Sequence, residues 1–303
     1  MPVNEHPDPC ARTPVARGLR AGLAALLLAA LAACASLPAH DDPPWAARLD
    51  GDTIVLFGEV HDNAAQHRLR LAILRRAVER GWRPAIAMEQ FDLPRQADIE
   101  RARRERPRDA QHLIDRAAPR PLRPGQGWDW AFYRPYVELA LEHELPLLAA
   151  NLAAEEARRI VREGLAAALP AERRAALGLE RPIEPEWQQA QEREIDHGHC
   201  NALPRTLWPR MAQAQFARDA AMAELLRTQG ARGIVLLAGN GHVRRDLGVP
   251  RWLAAEAPRV FAVGLLEDDD PHTPVAAFDA VLRTAPAERP DPCAGLRASP
   301  PPR

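Results

Sequence analysis

The sequence predicts an α/β fold: a mostly parallel sheet flanked by helices, with a helical insertion at about 153–232. One observation is alternation, because short apolar runs bounded by Gly or Pro take turns with longer segments of helical periodicity. A second is a repeated device. Ile54-Val55-Leu56-Phe57 runs into Gly58-Glu59-Val60-His61, and Ile234-Val235-Leu236-Leu237-Ala238 into Gly239-Asn240-Gly241-His242. Each is a strand, a glycine, two residues and a histidine. In an open parallel sheet the C-terminal strand ends share one edge, where sites form, so the two turns can meet there. A third is size: 303 residues at 47% hydrophobic and 27% charged content suit a globular chain with a sizeable core. The expected organisation is a signal segment at 1–33, a tether at 34–50, a single α/β domain at 51–284 and a disordered Pro/Arg-rich tail at 285–303.

Composition excludes several chemistries. A net charge of −1 gives no basic field for nucleic acid. All 40 basic residues are arginine, which removes Schiff-base chemistry and a lysine-bearing phosphate loop. The only serines, Ser36 and Ser299, stand near the two ends, so the folded body holds no serine nucleophile. Arg12, Arg17 and Arg20 precede an apolar run at 23–32, too short for a comfortable membrane span and typical of a secretory signal. Leu31-Ala32-Ala33-Cys34 reads as a bacterial lipobox, with Cys34 the acylated (palmitate-bearing) first residue of the mature chain; the alternative is an ordinary signal with a chance cysteine. Ala35-Ser36 lacks an aspartate that would retain a lipoprotein at the inner membrane, which favours the outer membrane of a Gram-negative envelope. Cys200 and Cys293 remain in an oxidising compartment, where their pairing is open.

Along the chain, Asp62-Asn63 offers a helix N-cap, and Leu71, Leu74 and Val78 recur at helical spacing. Residues 84–88 read as a second strand with Glu89 at its end, and 94–107 as a solvated, charged helix. A Pro/Arg/Gly-rich loop at 116–127 leads into an aromatic cluster at 128–136, followed by a helix at 136–144. A third strand at 145–150 ends at Asn151; two alanine-rich helices broken at Pro170 follow, then an irregular polar stretch at 182–204. A long helix at 211–229 precedes the second Gly-x-x-His strand. A short helix at 250–257, a strand at 259–266 and an edge strand at 278–283 complete the domain.

Four strand ends thus carry polar groups: Glu59 with His61, Glu89, Asn151, and Asn240 with His242. Taken singly, each also fits helix capping or pairing with arginine. As a set on one edge they point to a site, because an unpaired buried charge is costly. His61, Glu89 and His242 resemble an open two-histidine, one-carboxylate metal site. His199, in His197-Gly198-His199-Cys200, is a further candidate from a loop. The cluster at 128–136 holds both tyrosines, Tyr133 and Tyr136, and Arg134. Core packing accounts for its tryptophans; a flat wall for a large planar ligand, with a phenolate able to ligate ferric iron, is the functional reading.

The ordered set Leu56-Phe57-Gly58-Glu59-Val60-His61-Asp62-Asn63, Met88-Glu89-Gln90-Phe91, residues 147–152, Arg218-Asp219-Ala220-Ala221-Met222-Ala223 and Gly239-Asn240-Gly241-His242 resembles the ChaN-type lipoproteins. These belong to the haem-binding-uptake, Tiki superfamily with TraB-like and erythromycin-esterase-like proteins. The resemblance covers roughly residues 54–266. It implies an iron-linked lipoprotein that binds haem, partnered by the membrane through its lipid and by a homodimer mate or an uptake receptor. If the axial ligand is a tyrosine, it must be Tyr133 or Tyr136, with Arg134 near the propionates; the competing donors are His61, His242 and His199. The alternative is a divalent-metal-dependent hydrolase, in which Glu59, His61, Glu89 and His242 hold the ion or act as acid and base.

Overall fold

In this computed structural model residues 42–119, 127–291 and 293–294 are described. The leader, Cys34, the tether up to residue 41 and the end of the tail at 295–303 lie outside them. After a 3-10 turn at Pro44–Arg48, strand β1 covers Ile54–Phe57 and helix α1 Ala64–Glu79. β2 is Ala85–Asp92, followed by α2 (Gln96–Glu105), α3 (Ala110–Ala117) and α4 (Trp130–Glu142). β3 (Leu147–Asn151) opens the insertion, built of α5 (Ala154–Glu163), α6 (Leu165–Ala168), α7 (Ala171–Ala176), α8 (Pro185–Gly198) and α9 (Trp208–Gln229). β4 (Ile234–Leu237), the short α10 (Asn240–Val243), β5 (Val260–Glu267) and β6 (Ala280–Thr284) close the fold.

The six strands lie in the order β3-β2-β4-β1-β5-β6, and every pair is parallel. Central strands buried on both faces need unbroken apolar runs, and β1 and β4 supply them, with all eight residues buried. Successive side chains go to opposite faces. Val55, Phe57, Val235 and Leu237 meet Ile73, Tyr136 and Leu139 on one side. Ile54, Leu56, Ile234 and Leu236 meet Met222, Leu226 and Val249 on the other. The insertion forms a third core around Ile160, Trp187, Ile195, Phe216 and Ala217. Because β1 and β4 pair directly, with Phe57 opposite Leu237, the two Gly-x-x-His turns leave the sheet side by side.

Four elements differ from the sequence expectation. β2 runs past Met88 to Asp92, so Glu89 lies within the strand, where it outlasts its neighbour β4. α4 starts at Trp130, six residues before the expected helix, because the Asp129 side chain caps it by accepting from the Ala131 N–H. The polar stretch 182–204 contains a fourteen-residue helix, α8, begun by Pro185 and burying only Trp187, Gln191 and Ile195 at four-residue spacing. One buried side chain per turn leaves a weak periodic signal. The tail is held beyond β6: the Ala287 N–H and Arg289 bind Glu267, and Cys293 forms a disulfide with Cys200.

Candidate ligand site at the sheet edge

Glu59 leaves β1 into the first turn, and its carboxylate is the most heavily partnered group in the site. It is 2% exposed, yet it meets Arg70, whose side chain is wholly buried, in an ion pair. It also accepts from His61 Nδ1 at 2.9 Å and from the Tyr133 hydroxyl at 2.6 Å. Burial would raise this carboxyl, but Arg70 and the two nearby histidines hold it below its ordinary value. Arg70 further donates to the Phe57 carbonyl and to the Tyr136 hydroxyl, and the Tyr136 hydroxyl donates to the His67 carbonyl at 2.8 Å. His67 Nε2 donates to the His61 carbonyl at 2.9 Å, and burial lowers its pKa.

His61 is spent on one side only. Its Nδ1 is engaged by Glu59, which leaves Nε2 without a hydrogen-bond partner among the described residues. The side chain is 49% exposed. Its ring stands edge-on to Trp128 at 4.9 Å. Burial would lower the pKa of His61, but Glu59 and Glu89 raise it.

The second turn mirrors the first. His242 Nδ1 bonds Asp219 of α9 at 2.6 Å, and its Nε2 lies 3.5 Å from Glu89. Burial alone would depress this imidazole; Glu89 and Asp219 instead raise its pKa to about 10, making it a cation at neutral pH. Asp219 is itself raised by burial. Glu89 takes the Gly239 N–H at 2.8 Å, and although burial works the other way, His242, His61 and that N–H hold its carboxyl well below the ordinary range. A β-carbon on Gly239 would come within 3.0 Å of the His61 ring and 3.9 Å of Glu89 Oε2. His61, Glu89 and His242 therefore meet around one glycine. They face a pocket of about 360 Å³ whose other walls include Arg158, Val161, Ile195, His199, Met211 and Arg218.

The remaining candidates fare differently. Asn151 accepts from Arg218 at 2.8 Å and so orients one pocket wall. Asn240 bridges to the backbone of Leu265 in β5, a structural tie. His199 lines the pocket with Nδ1 facing the Ile195 carbonyl. Tyr133 and Tyr136 are 1% and 0% exposed, with hydroxyls committed to Glu59 and to His67 and Arg70, and burial raises both pKa values. Neither phenol is presented to a ligand. Arg134 pairs with Glu138 at 2.8 Å and reaches toward α3. The aromatic cluster packs instead against the core beneath α4. The expected metal ligands His61, Glu89 and His242 share one pocket, but among the described residues no three His, Cys, Asp or Glu side chains are grouped so that they could hold an ion. The δ nitrogens of both histidines and one Glu89 oxygen are already bound within the protein.

Over residues 45–253 the chain matches the family described as haem-binding uptake, Tiki superfamily, ChaN. The chain belongs to the ChaN family. No curated protein matches it in sequence. Among solved structures it is similar to ChaN of Campylobacter jejuni, described as showing cofacial haem binding, with 20% identity, 77% of this chain and 87% of that chain covered, and a TM-score of 0.59. It is also similar, at a TM-score of 0.40, to an erythromycin esterase in its open conformation (13% identity, covering 73% and 71%). A Bacillus cereus protein gives the same score (12% identity, covering 74% and 68%). In this ChaN-family chain, Arg70, His67 and Asp219 also belong to the candidate site, through Glu59, His61 and His242, and no pattern in the sequence singles them out as site residues. Asp219 lies in the motif that carried the family resemblance; Arg70 is one arginine among several on α1.

Proposed function

We propose that this ChaN-family chain binds haem at the mouth of the sheet-edge pocket, with His61 as axial donor. The observation that carries the reading is the state of His61: half exposed, tied to Glu59 through Nδ1 and open at Nε2. A histidine whose other nitrogen donates to a carboxylate is held in one tautomer and is a stronger ligand for it. The donor set fits the group in two further respects. The Trp128 ring beside His61 offers apolar surface for a porphyrin, and the Arg158 and Arg218 guanidiniums of the pocket wall suit carboxylates. When bound, the haem would supply a ferric centre; the protein's part is to hold and shield it. The description of the Campylobacter jejuni relative agrees with this ligand.

The same reading makes the chain a lipoprotein anchored through Cys34 in the outer membrane, buffering haem or passing it to an uptake receptor or a second copy. Titration of the purified chain with haemin should give a saturable Soret shift, and His61→Ala should weaken it by about 10-fold or more. A wild type without such a shift, or a His61→Ala variant that binds as wild type, rejects the proposal. Cys34→Ala should abolish membrane retention and signal processing; normal fractionation of that variant rejects the anchor.

One observation favours hydrolysis as a second reading, namely His242 clasped between Asp219 and Glu89. With a pKa near 10 this residue would be held protonated as the acid, and the base would have to be His61. Ester turnover by the metal-free chain that disappears in His242→Gln would support it.

A further inference from the structure

We infer that the tail after β6 is a strap that positions His61, tying its turn to the segment that brings His199 to the same pocket. The strap is anchored on Glu267, the last residue of β5, which is only 7% exposed. Its carboxylate accepts from the Asn63 side chain at 2.8 Å, from the Ala287 N–H at 2.8 Å and from both terminal nitrogens of Arg289 at 2.9 and 2.5 Å. Arg289 Nε in turn pairs with Asp62, the residue after His61, at 2.8 Å. Asn63 also donates to the Ala285 carbonyl at 2.9 Å. On the other side of His61, the Val60 N–H is held by Gln66, which donates to Thr284. The residues flanking His61 are therefore all tied, directly or through Gln66, to the end of β6 or to the tail.

The far end of the strap is covalent. Cys293 is bonded to Cys200, next to His199, and His199 lines the same pocket as His61. A Pro-rich segment has little order of its own, so its placement here comes from these attachments. Removing Arg289 would leave the Glu267 carboxylate short of its charged partner at low exposure, which is costly. It would also free Asp62. The strap thus spends its ordering on the turn that presents Nε2 of His61, and on holding that turn at a set distance from the wall carrying His199. Arg289 and the disulfide act through His61 and are positioning elements.

The inference rests on the haem reading for its ligand arm alone. The test uses the full chain with its disulfide formed, as wild type, Arg289→Ala, Arg289→Lys and the double variant Cys200→Ala/Cys293→Ala. Amide hydrogen exchange reports residues 59–63 and 195–201 without any ligand, and Soret titration reports haemin. We expect Arg289→Ala to speed exchange across 59–63 and to weaken haemin binding by about 10-fold, the scale on which partners of a ligating residue act. Arg289→Lys, which keeps the charge but loses the fork on Glu267, should recover part of both. The cysteine double variant should speed exchange in both segments. If Arg289→Ala lowers the melting temperature yet leaves exchange at 59–63 and haemin affinity at wild-type values, the tail is only structural and the inference falls. If wild type does not bind haemin, the haem reading falls by itself, and exchange at 59–63 still decides the strap.

Discussion

At His61 the deciding neighbour is a residue without a side chain. A methyl group on Gly239 would sit 2.9 and 3.0 Å from Cε1 and Nε2 of the His61 ring, closer than carbon and nitrogen pack. Gly239 has φ −63 and ψ 153, ordinary values for alanine, so Gly239→Ala adds contact without backbone strain. The ring is half exposed and yields outward, which keeps the stability loss below about 1 kcal/mol. The donor atom moves with it, so haemin affinity should drop by about 10-fold or more. A variant that loses stability but keeps full affinity would show that binding does not read the place of this ring. His61, Glu89 and His242 were legible in the sequence because ionisable groups at the ends of buried strands need a reason to be there. Arg70 was not, since one arginine on an arginine-rich helix shows no sign of being the buried one. Tyr133 and Tyr136 were misread for the opposite reason: an aromatic cluster looks alike as ligand wall and as core, and only burial separates the two.

Among elements, α1 docks on β1 through Ile73, Leu74, Ala77 and Val78 and adds one buried charged side chain to that apolar contact. Arg70 reaches from the helix to Glu59, to the Phe57 carbonyl and to Tyr136 of α4, so three elements share one guanidinium. Deleting one member of a fully buried ion pair leaves the other charge unpaired, at a cost of about 3–5 kcal/mol. Arg70→Met should lower the urea midpoint accordingly, while the double change Glu59→Gln/Arg70→Met should recover part of the loss. A single variant within about 0.5 kcal/mol of wild type would contradict this account. Strands were read from sequence almost to the residue where they are short and uniformly apolar, as in β1 and β4. α8 was missed because only Trp187, Gln191 and Ile195 face inward, so its polar residues outweigh the pattern. The tail was misjudged because its order comes from Glu267 and Cys200, partners that no local composition announces.

At the scale of the whole molecule, the paired turns make stability depend on pH from both sides. His242 joins β2, α9 and α10 as a cation between Glu89 and Asp219, and its pKa rises from 6.5 to about 10. Below about pH 6.5 the folded and unfolded chains are both protonated there, and the stabilisation is complete. Between that value and about 10 the unfolded chain has released the proton while the folded chain keeps it, so stability falls as pH rises. The slope approaches about 1.4 kcal/mol per pH unit, for a total of a few kcal/mol. Glu89 acts in the other direction: its folded pKa is depressed, so its contribution is present above about pH 4.5 and is lost as pH falls. Stability from this pair should therefore peak at mildly acidic pH, below neutrality, although the net charge of the chain is close to zero at pH 7. Urea unfolding at pH 6, 8 and 10 checks the alkaline arm. Wild type should lose stability steadily across this series, and His242→Gln, with no proton to release, should follow a flatter line. Parallel lines for the two proteins would mean that His242 is not the cation that links the elements of this edge.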